Sequence, residues 1–556
     1  MSPLLIDQHN ETSDISRVLE VFNLPLPTLD SDYQPALKTY VMTRRTIEQQ
    51  EPRHSSRNAP ASNPRENSPV LDMPLRTTGQ DTEVSRFPAQ LFSTAYGMTI
   101  RAPNHSRNSP AAATALKKKL YTIIKADVLI PGDGEPTEDA ALVIENKIIA
   151  WVGAQAEIPE EYISAPHRAF SVPYLMPGLW DVHTHFGGES PTGDDGPGFT
   201  AMITMHPASG GARLARGCWE ALQRGYTSLR DLAGLGCEVA KAVADGEIVG
   251  PNIYSAGGCL SQTAGHGDIF NLPAGVVYQN LGVLQPTPGH FAANFACIVD
   301  GVDECRRGVR LQIRRGAKCI KVLASGGVMS RDDDVRYAQF SDEELRIIVE
   351  EAARQGRSVA AHVHAKEGIL AAVRAGVRTV EHVSFADQEC IDLIKQKGTV
   401  YVATRFITEY LLSTGGEGLD PATWEKAKLC GAHHLTAYKL AIKAGCTFAL
   451  GTDTPPGVNT AIELEYAVQA GLSNLEAIKA ATANGPLTVG AQAPKTGQLK
   501  VGYEADVLGL TANPVEDVRV LQNRDNIKWV WKGGKIYKGP GVGPWGEDRW
   551  SQDELW

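Results

Sequence analysis

The chain has 556 residues, a formal net charge of -10, and 42% hydrophobic against 21% charged side chains. It is long enough for two or more folded units, and its negative balance argues against a nucleic-acid or anionic-membrane partner, since both need a basic surface. The nine cysteines are odd in number and never spaced as CxxC, which disfavours a disulfide framework and a thiolate zinc site. A reduced, cytoplasmic chain acting on a small or peptide-like substrate is the simplest expectation, with secretion lacking an evident signal as the alternative. No apolar run approaches the roughly 18 residues of a membrane span.

Residues 1–118 are rich in Pro, Ser, Asn and Thr and contain no Cys or Trp. Such a segment buries too little apolar surface to offset its ordering entropy, so a disordered N-terminal extension is expected there. At Leu120 the composition changes. YTIIKADVLIPGDGEP and AALVIENKIIAWVG alternate β-branched runs with Gly, Pro and Asp turn signals, as short strands do. GQLKVGYEADVLGL and IKWVWKGGKIYKG repeat that pattern near the C-terminus. Residues 119–176 and 491–545 are therefore expected to pair into one small β-sandwich, with 546–556 as a tail.

Between 177 and 490 the pattern is strand, loop, helix, repeated, which predicts an α/β domain of (β/α)8 TIM-barrel type. Eight candidate strands cover 178–185, 226–232, 252–258, 319–327, 358–364, 379–385, 400–405 and 447–453. Ser341 and Glu344 form a capping box at the start of the helix after the fourth strand, and Gly356 marks its end. The connection from Cys259 to about Asp300 contains SQTAGHGD and is far longer than the others, as befits a loop that covers a substrate site.

The chemistry gathers at the strand ends. His183 and His185 lie two apart on a strand, so both imidazoles point to one side. Lys321, His362, His364, His382 and Asp453 follow near the C-terminal ends of later strands, where barrel enzymes hold their catalytic groups. A protonated lysine is a poor metal ligand, but reaction with CO2 would turn Lys321 into a carbamate able to bridge two cations. Lys318 is the rival position; Lys321 is favoured because the strand continues beyond it. Nitrogen and carboxylate ligands without thiolates suit two divalent ions, Zn2+ before Mn2+, Co2+ or Fe2+. Asp453 has the chemistry to take a proton from the attacking water and return it to the leaving nitrogen.

This order, HxH, Lys, His, His, Asp, resembles the amidohydrolase superfamily. LMPGLWDVHTHFGG, SQTAGHGD, IKVLASGGVMSRDD, AHVHAKEGI, VEHVSFAD and ALGTDTPPG are similar to its ochratoxinase-like, imidazolonepropionase-like and prolidase-like branches, over about residues 121–545. The resemblance implies that His183 and His185 bind one metal, carbamylated Lys321 bridges, His362 and His382 bind the other, and Asp453 completes the first site. It also implies carboxypeptidase-like hydrolysis of the amide to a C-terminal phenylalanine, as in detoxification of the mycotoxin ochratoxin A, and a homo-octamer. His364 would contact the substrate. The insertion FGGESPTGDDGPG at 186–198 is the expected departure beside the site. Arg331 and Arg405 are candidate partners for a substrate carboxylate, and His266 is a candidate lid or substrate contact. Cyclic-amide hydrolysis of imidazolonepropionase or hydantoinase type, an Xaa-Pro dipeptidase and a non-catalytic scaffold are the competing readings.

Overall fold

The computed structural model describes residues 120–190, 194, 198–283 and 295–547. The expected disordered extension and most of the expected tail lie outside the described residues, as do parts of the 186–198 insertion and of the long loop.

The two β-rich ends do pair. Strands β1 (Tyr121–Leu129), β2 (Thr137–Glu145), β3 (Ile148–Ala154) and β4 (His167–Pro177) join the C-terminal strands in one seven-stranded sheet, described below. The middle segment supplies β5 (Leu179–Phe186), β6 (Tyr226–Gly234), β7 (Asn252–Ser255), β8 (Cys259–Ser261), β9 (Ala296–Ile298), β10 (Cys319–Leu323), β11 (Ser358–Val363), β12 (Thr379–His382) and β13 (Val400–Val402). Then come β14 (Val507–Leu510), β15 (Ile527–Lys532) and β16 (Lys535–Lys538). The terminal sheet runs β16-β15-β14-β4-β1-β2-β3, with β14 antiparallel to β4. It is one sheet in hydrogen-bond order where a sandwich was expected. Its β3 edge returns to the segment before β14, since Ile149 N–H donates to Tyr503 O at 2.9 Å and Ala505 N–H to Lys147 O at 2.8 Å. The sheet thus wraps a core that includes Ile124, Leu142, Ile149, Val507 and the fully buried Trp531.

The named strands of the middle segment pair in parallel: β5-β6-β7 in one sheet and β13-β12-β11-β10-β8-β9 in another. Parallel strands buried on both faces need continuous apolar runs, and β6 and β10 are buried at every position. Two seams connect the sheets. Lys318 N–H donates to Ser255 O at 2.7 Å, tying β7 to β10. Residues 447–454 lie between β13 and β5: Tyr401 N–H donates to Thr447 O at 2.8 Å, Val182 N–H to Leu450 O at 3.0 Å, and Asp453 N–H to His183 O at 2.7 Å.

Several strands stop short of their sequence-based limits for local reasons. The third expected strand ends at Ser255, before the turn at Gly257 with φ 71, and beyond its expected limit the chain resumes as β8 beside β10. The sixth ends where His382 and Val383 adopt φ 71 and φ 60. The eighth, 447–453, is not a regular strand; it makes isolated bridges at Phe448 and Thr454, with Asp453 at φ 64 between them. The helix after β10, Asp342–Arg354, carries the expected Ser341–Glu344 capping box and buries Leu345, Ile347, Ile348 and Ala352. Ser341 to Ala would cost that cap about 1 kcal/mol. Among the described residues, no helix is long and apolar enough to cross a membrane.

Gly451 sets the closeness of the second seam, because a Cβ there would meet His183 Cβ and N at 2.6 Å. Backbone on both sides leaves no room to yield. Gly451→Ala is expected to lower stability by roughly 1–3 kcal/mol through overpacking and to displace His183. An unchanged denaturation midpoint together with unchanged activity would contradict this.

Candidate metal centre

The parallel strands bring six sequence-predicted residues, His183, His185, Lys321, His362, His382 and Asp453, onto the wall of one cavity of about 420 Å³, together with His266 and His364. Lys318, the rival lysine, is exposed, whereas Lys321 is 2% exposed. His185 Nε2 lies 2.9 Å and His183 Nε2 3.4 Å from Asp453 Oδ1. Lys321 Nζ is 3.4 Å from His183 Nε2. The His362 ring centre is 4.6 Å from His382 and 4.8 Å from His364.

Ligand atoms of His183, His382 and Asp453 all lie within 4.8 Å of one another, close enough to share a cation. Each of these two rings is oriented from behind. His183 Nδ1–H donates to Glu381 Oε2 at 2.9 Å, and His382 Nδ1 is 2.7 Å from Thr404 Oγ1, so both Nε2 atoms are left for a ligand role. Neutral ring nitrogens with a carboxylate and no thiolate are the donors that Zn2+-type ions take. The residues fit such ions.

The electrostatics favour that state. Burial, reinforced by Lys321, pushes His183 down to about 4, so its imidazole stays neutral at neutral pH. Burial also lowers His362 and His382 well below the ordinary histidine value. Burial lowers Lys321, against the raising effects of Glu381 and Asp453. For Asp453 burial works upward, but His183 and His185 outweigh it and hold the carboxyl well below its usual range.

Sequence reasoning missed the support behind the rings. Glu381, fully buried, receives the His183 proton on one oxygen and Arg230 Nη2 on the other at 2.8 Å, with Thr379 Oγ1 donating as well. Opposing burial, Arg230 and His183 hold Glu381 down at about 2. A strand alternation would send Glu381 and His382 to opposite faces. The left-handed backbone at His382 turns both toward the cluster. Thr404, at φ 51, and Asp453, at φ 64, share this conformation, which is costly for non-glycine residues and is typical of functional strand ends. The only hint in the sequence was the acid beside the histidine in VEHV.

The two predicted carboxylate-binding arginines do not join the site. Arg331 is exposed and neither arginine lines the cavity. Arg405 begins the helix Arg405–Ser413, where Nη1 donates to His434 Nδ1 at 3.1 Å and Nη2 pairs with Glu409. His434 and Glu409 claim the guanidinium.

Parallel strand ends that gather neutral imidazoles, a carboxylate and a buried lysine around one pocket define a hydrolase of the amide-cleaving class. The chain belongs to the amidohydrolase family, whose profile matches residues 174–537. It is 58% identical over 478 residues to the ochratoxinase of Aspergillus niger, covering 85% of this chain and 98% of that one. The crystal structure of A. niger ochratoxinase superposes with a TM-score of 0.76 at 61% identity, over 78% of this chain and 99% of the other. A Xaa-Pro dipeptidase with bound methionine in the active site matches with a TM-score of 0.63 at 27% identity, over 75% and 100%.

Glu381→Gln keeps the size of the side chain but removes the charge that orients His183. A 10- to 100-fold loss of metal affinity, roughly, is expected from loss of such a partner. Metal titration of the apoprotein measures it; parental affinity would show that Glu381 only fills space.

His434 yields a second test. Its Nδ1 accepts from Arg405 and its Nε2–H donates to Ala403 O at 2.7 Å, and burial with the Arg405 charge lowers it to about 4. Between the ordinary value of 6.5 and about 4 the unfolded chain binds a proton that the folded chain refuses, so stability falls as pH falls through that window. The contribution is on the order of 3 kcal/mol. Unfolding free energies from pH 7 to 4 should converge toward those of His434→Gln; parallel curves would refute the assignment.

Proposed function

We propose that the chain is a binuclear metal-dependent amidohydrolase that cleaves the amide between an acyl group and a C-terminal amino acid such as phenylalanine, with ochratoxin A as the expected substrate. The observation that carries this reading is the joining of two surfaces in one cavity. One is the cluster of His183, His185, Lys321, His362, His382 and Asp453; the other is an apolar wall of Phe199, Phe295, Val328, Met329, Ile407 and Leu411. At about 420 Å³ the cavity is within the usual range for a drug-sized ligand. The relatives named ochratoxinase support the same substrate class.

In this reading the parallel segments form a closed (β/α)8 barrel, with 447–454 as its eighth member. His183, His185 and Asp453 would hold one ion, His362 and His382 the other, and a carbamate on Lys321 would bridge them. When bound, a pair of divalent ions such as Zn2+ supplies Lewis acidity toward the scissile carbonyl and lowers the pKa of a water. Lys321 suits the modification because burial lowers its proton affinity, and only the neutral amine adds to CO2, releasing a proton as the carbamate forms. Asp453 stays ionised, receives the proton of the attacking water and passes it to the leaving nitrogen. His364, whose Nδ1 is 2.8 Å from Ser384 Oγ, presents its other ring nitrogen to the substrate carbonyl. The apolar wall holds the acyl and aromatic groups and keeps bulk water from them. Assembly as a homo-octamer and a cytoplasmic location complete the proposal.

Lys321→Ala tests it. Release of phenylalanine from N-acyl-phenylalanine substrates should be abolished, with partial return on adding short carboxylic acids that stand in for the carbamate. Full activity in that variant would overturn the role of Lys321, and no hydrolysis of any such amide by the metal-loaded parent would overturn the substrate class.

A further inference from the structure

The SQTAGHGD loop holds His266 in a hydrogen-bond chain that the catalytic cluster does not use. His266 lies on the cavity wall, its ring stacked on His362 at 4.4 Å between centres and 29° between planes. Its Nδ1 is 2.8 Å from Ser330 Oγ. The Ser330 hydroxyl is in turn in contact with Asp333 Oδ1 and lies 3.1 Å from Gly327 O. Asp333 is held from three sides: Lys426 Nζ donates to Oδ1 at 3.0 Å, Gly327 N–H to Oδ2 at 2.9 Å, and Gln339 Nε2 reaches Oδ2 at 3.4 Å. The backbone is fixed as well, for His266 N–H donates to Gln339 Oε1 at 3.0 Å.

Proton counting settles the direction of this chain. An ionised Asp333 beside Lys426 can only accept, and so can the Gly327 carbonyl. Ser330 has a single proton, and whichever of these two oxygens receives it, none remains for the ring. Nδ1 of the neutral His266 must therefore be the donor, and its Nε2 is a bare lone pair. That atom has no hydrogen-bond partner among the described residues. We infer that His266 Nε2 accepts a hydrogen bond from the N–H of the scissile amide, and that Ser330 and Asp333 are positioning residues that fix the acceptor tautomer. The site thereby selects secondary amides, which have that proton, over N-alkylated amides, which lack it. The inference rests on the proposed amide hydrolysis and deepens it.

The experiment compares an N-acyl-phenylalanine with its N-methyl counterpart in the metal-loaded protein. The parent should favour the N–H substrate in kcat/KM by about tenfold or more, because the N-methyl amide leaves a buried acceptor unpaired. In His266→Ala that ratio should fall to within about twofold, and in Ser330→Ala it should fall part of the way. Both substrates feel the same packing, so a merely structural loss would lower both rates and leave the ratio as it was. An unchanged ratio in either folded variant would overturn the inference, and Ser330→Ala, which removes one oxygen, keeps the comparison should His266→Ala fail to fold. Failure of the parent to cleave the N–H substrate would instead overturn the proposed function.

Discussion

Glu381 is a carboxylate buried among parallel strands, binding Arg230 with one oxygen and His183 with the other. Removing two charges from water is expensive, and the attraction between them offsets that cost only when the remaining donors are satisfied. Here each nitrogen of Arg230 has a partner: Nε donates to Val182 O, Nη1 to Thr379 Oγ1 at 3.0 Å, and Nη2 to Glu381. The consequence for function is directional. His183 must present Nε2 to the cavity because its other nitrogen is committed; Asp453 and Lys321 lie beside that atom, and His185 pairs with the same Asp453 oxygen.

The same region carries backbone strain. His382, Thr404 and Asp453 adopt left-handed conformations at the end of β12, before the helix Arg405–Ser413 and at the 447–454 seam. Each unfavourable residue costs on the order of 1–3 kcal/mol, offset by the packed strands around it. In return, side chains that a regular pleat would send outward converge. Gly451 allows the seam to approach His183 closely enough for Asp453 to reach both histidines.

Around this rigid floor the walls are built from connections. Phe199 and Phe295 come from the loops after β5 and before β9, Val328 and Met329 from the loop after β10, and Ile407 and Leu411 from the helix after β13. Loops supply specificity while strand ends supply chemistry, the division expected of this architecture. His266 belongs to the walls, yet its polar chain reaches Lys426 on the helix Pro421–Ala444, so its loop is linked to two other segments at once.

The gathering of these side chains was legible in the sequence because it depends on residue type and on position at a strand end: HxH, Lys321, His362, His382 and Asp453 could be placed from periodicity and turn signals, and all line one cavity. The alternation of strand and helix, and the pairing of the two β-rich ends, followed from the same patterns. Partners joined across long separations were not legible. Glu381 with His183, Arg230 with Glu381, and Asp333 with His266 are unrelated in sequence, and so is Arg405 with His434 of the helix Pro421–Ala444. Local sequence encodes which way a side chain points within its own strand or helix. What it meets there is decided by how the folded chain brings other segments against it, and by the few backbone positions that leave the regular conformation to permit it.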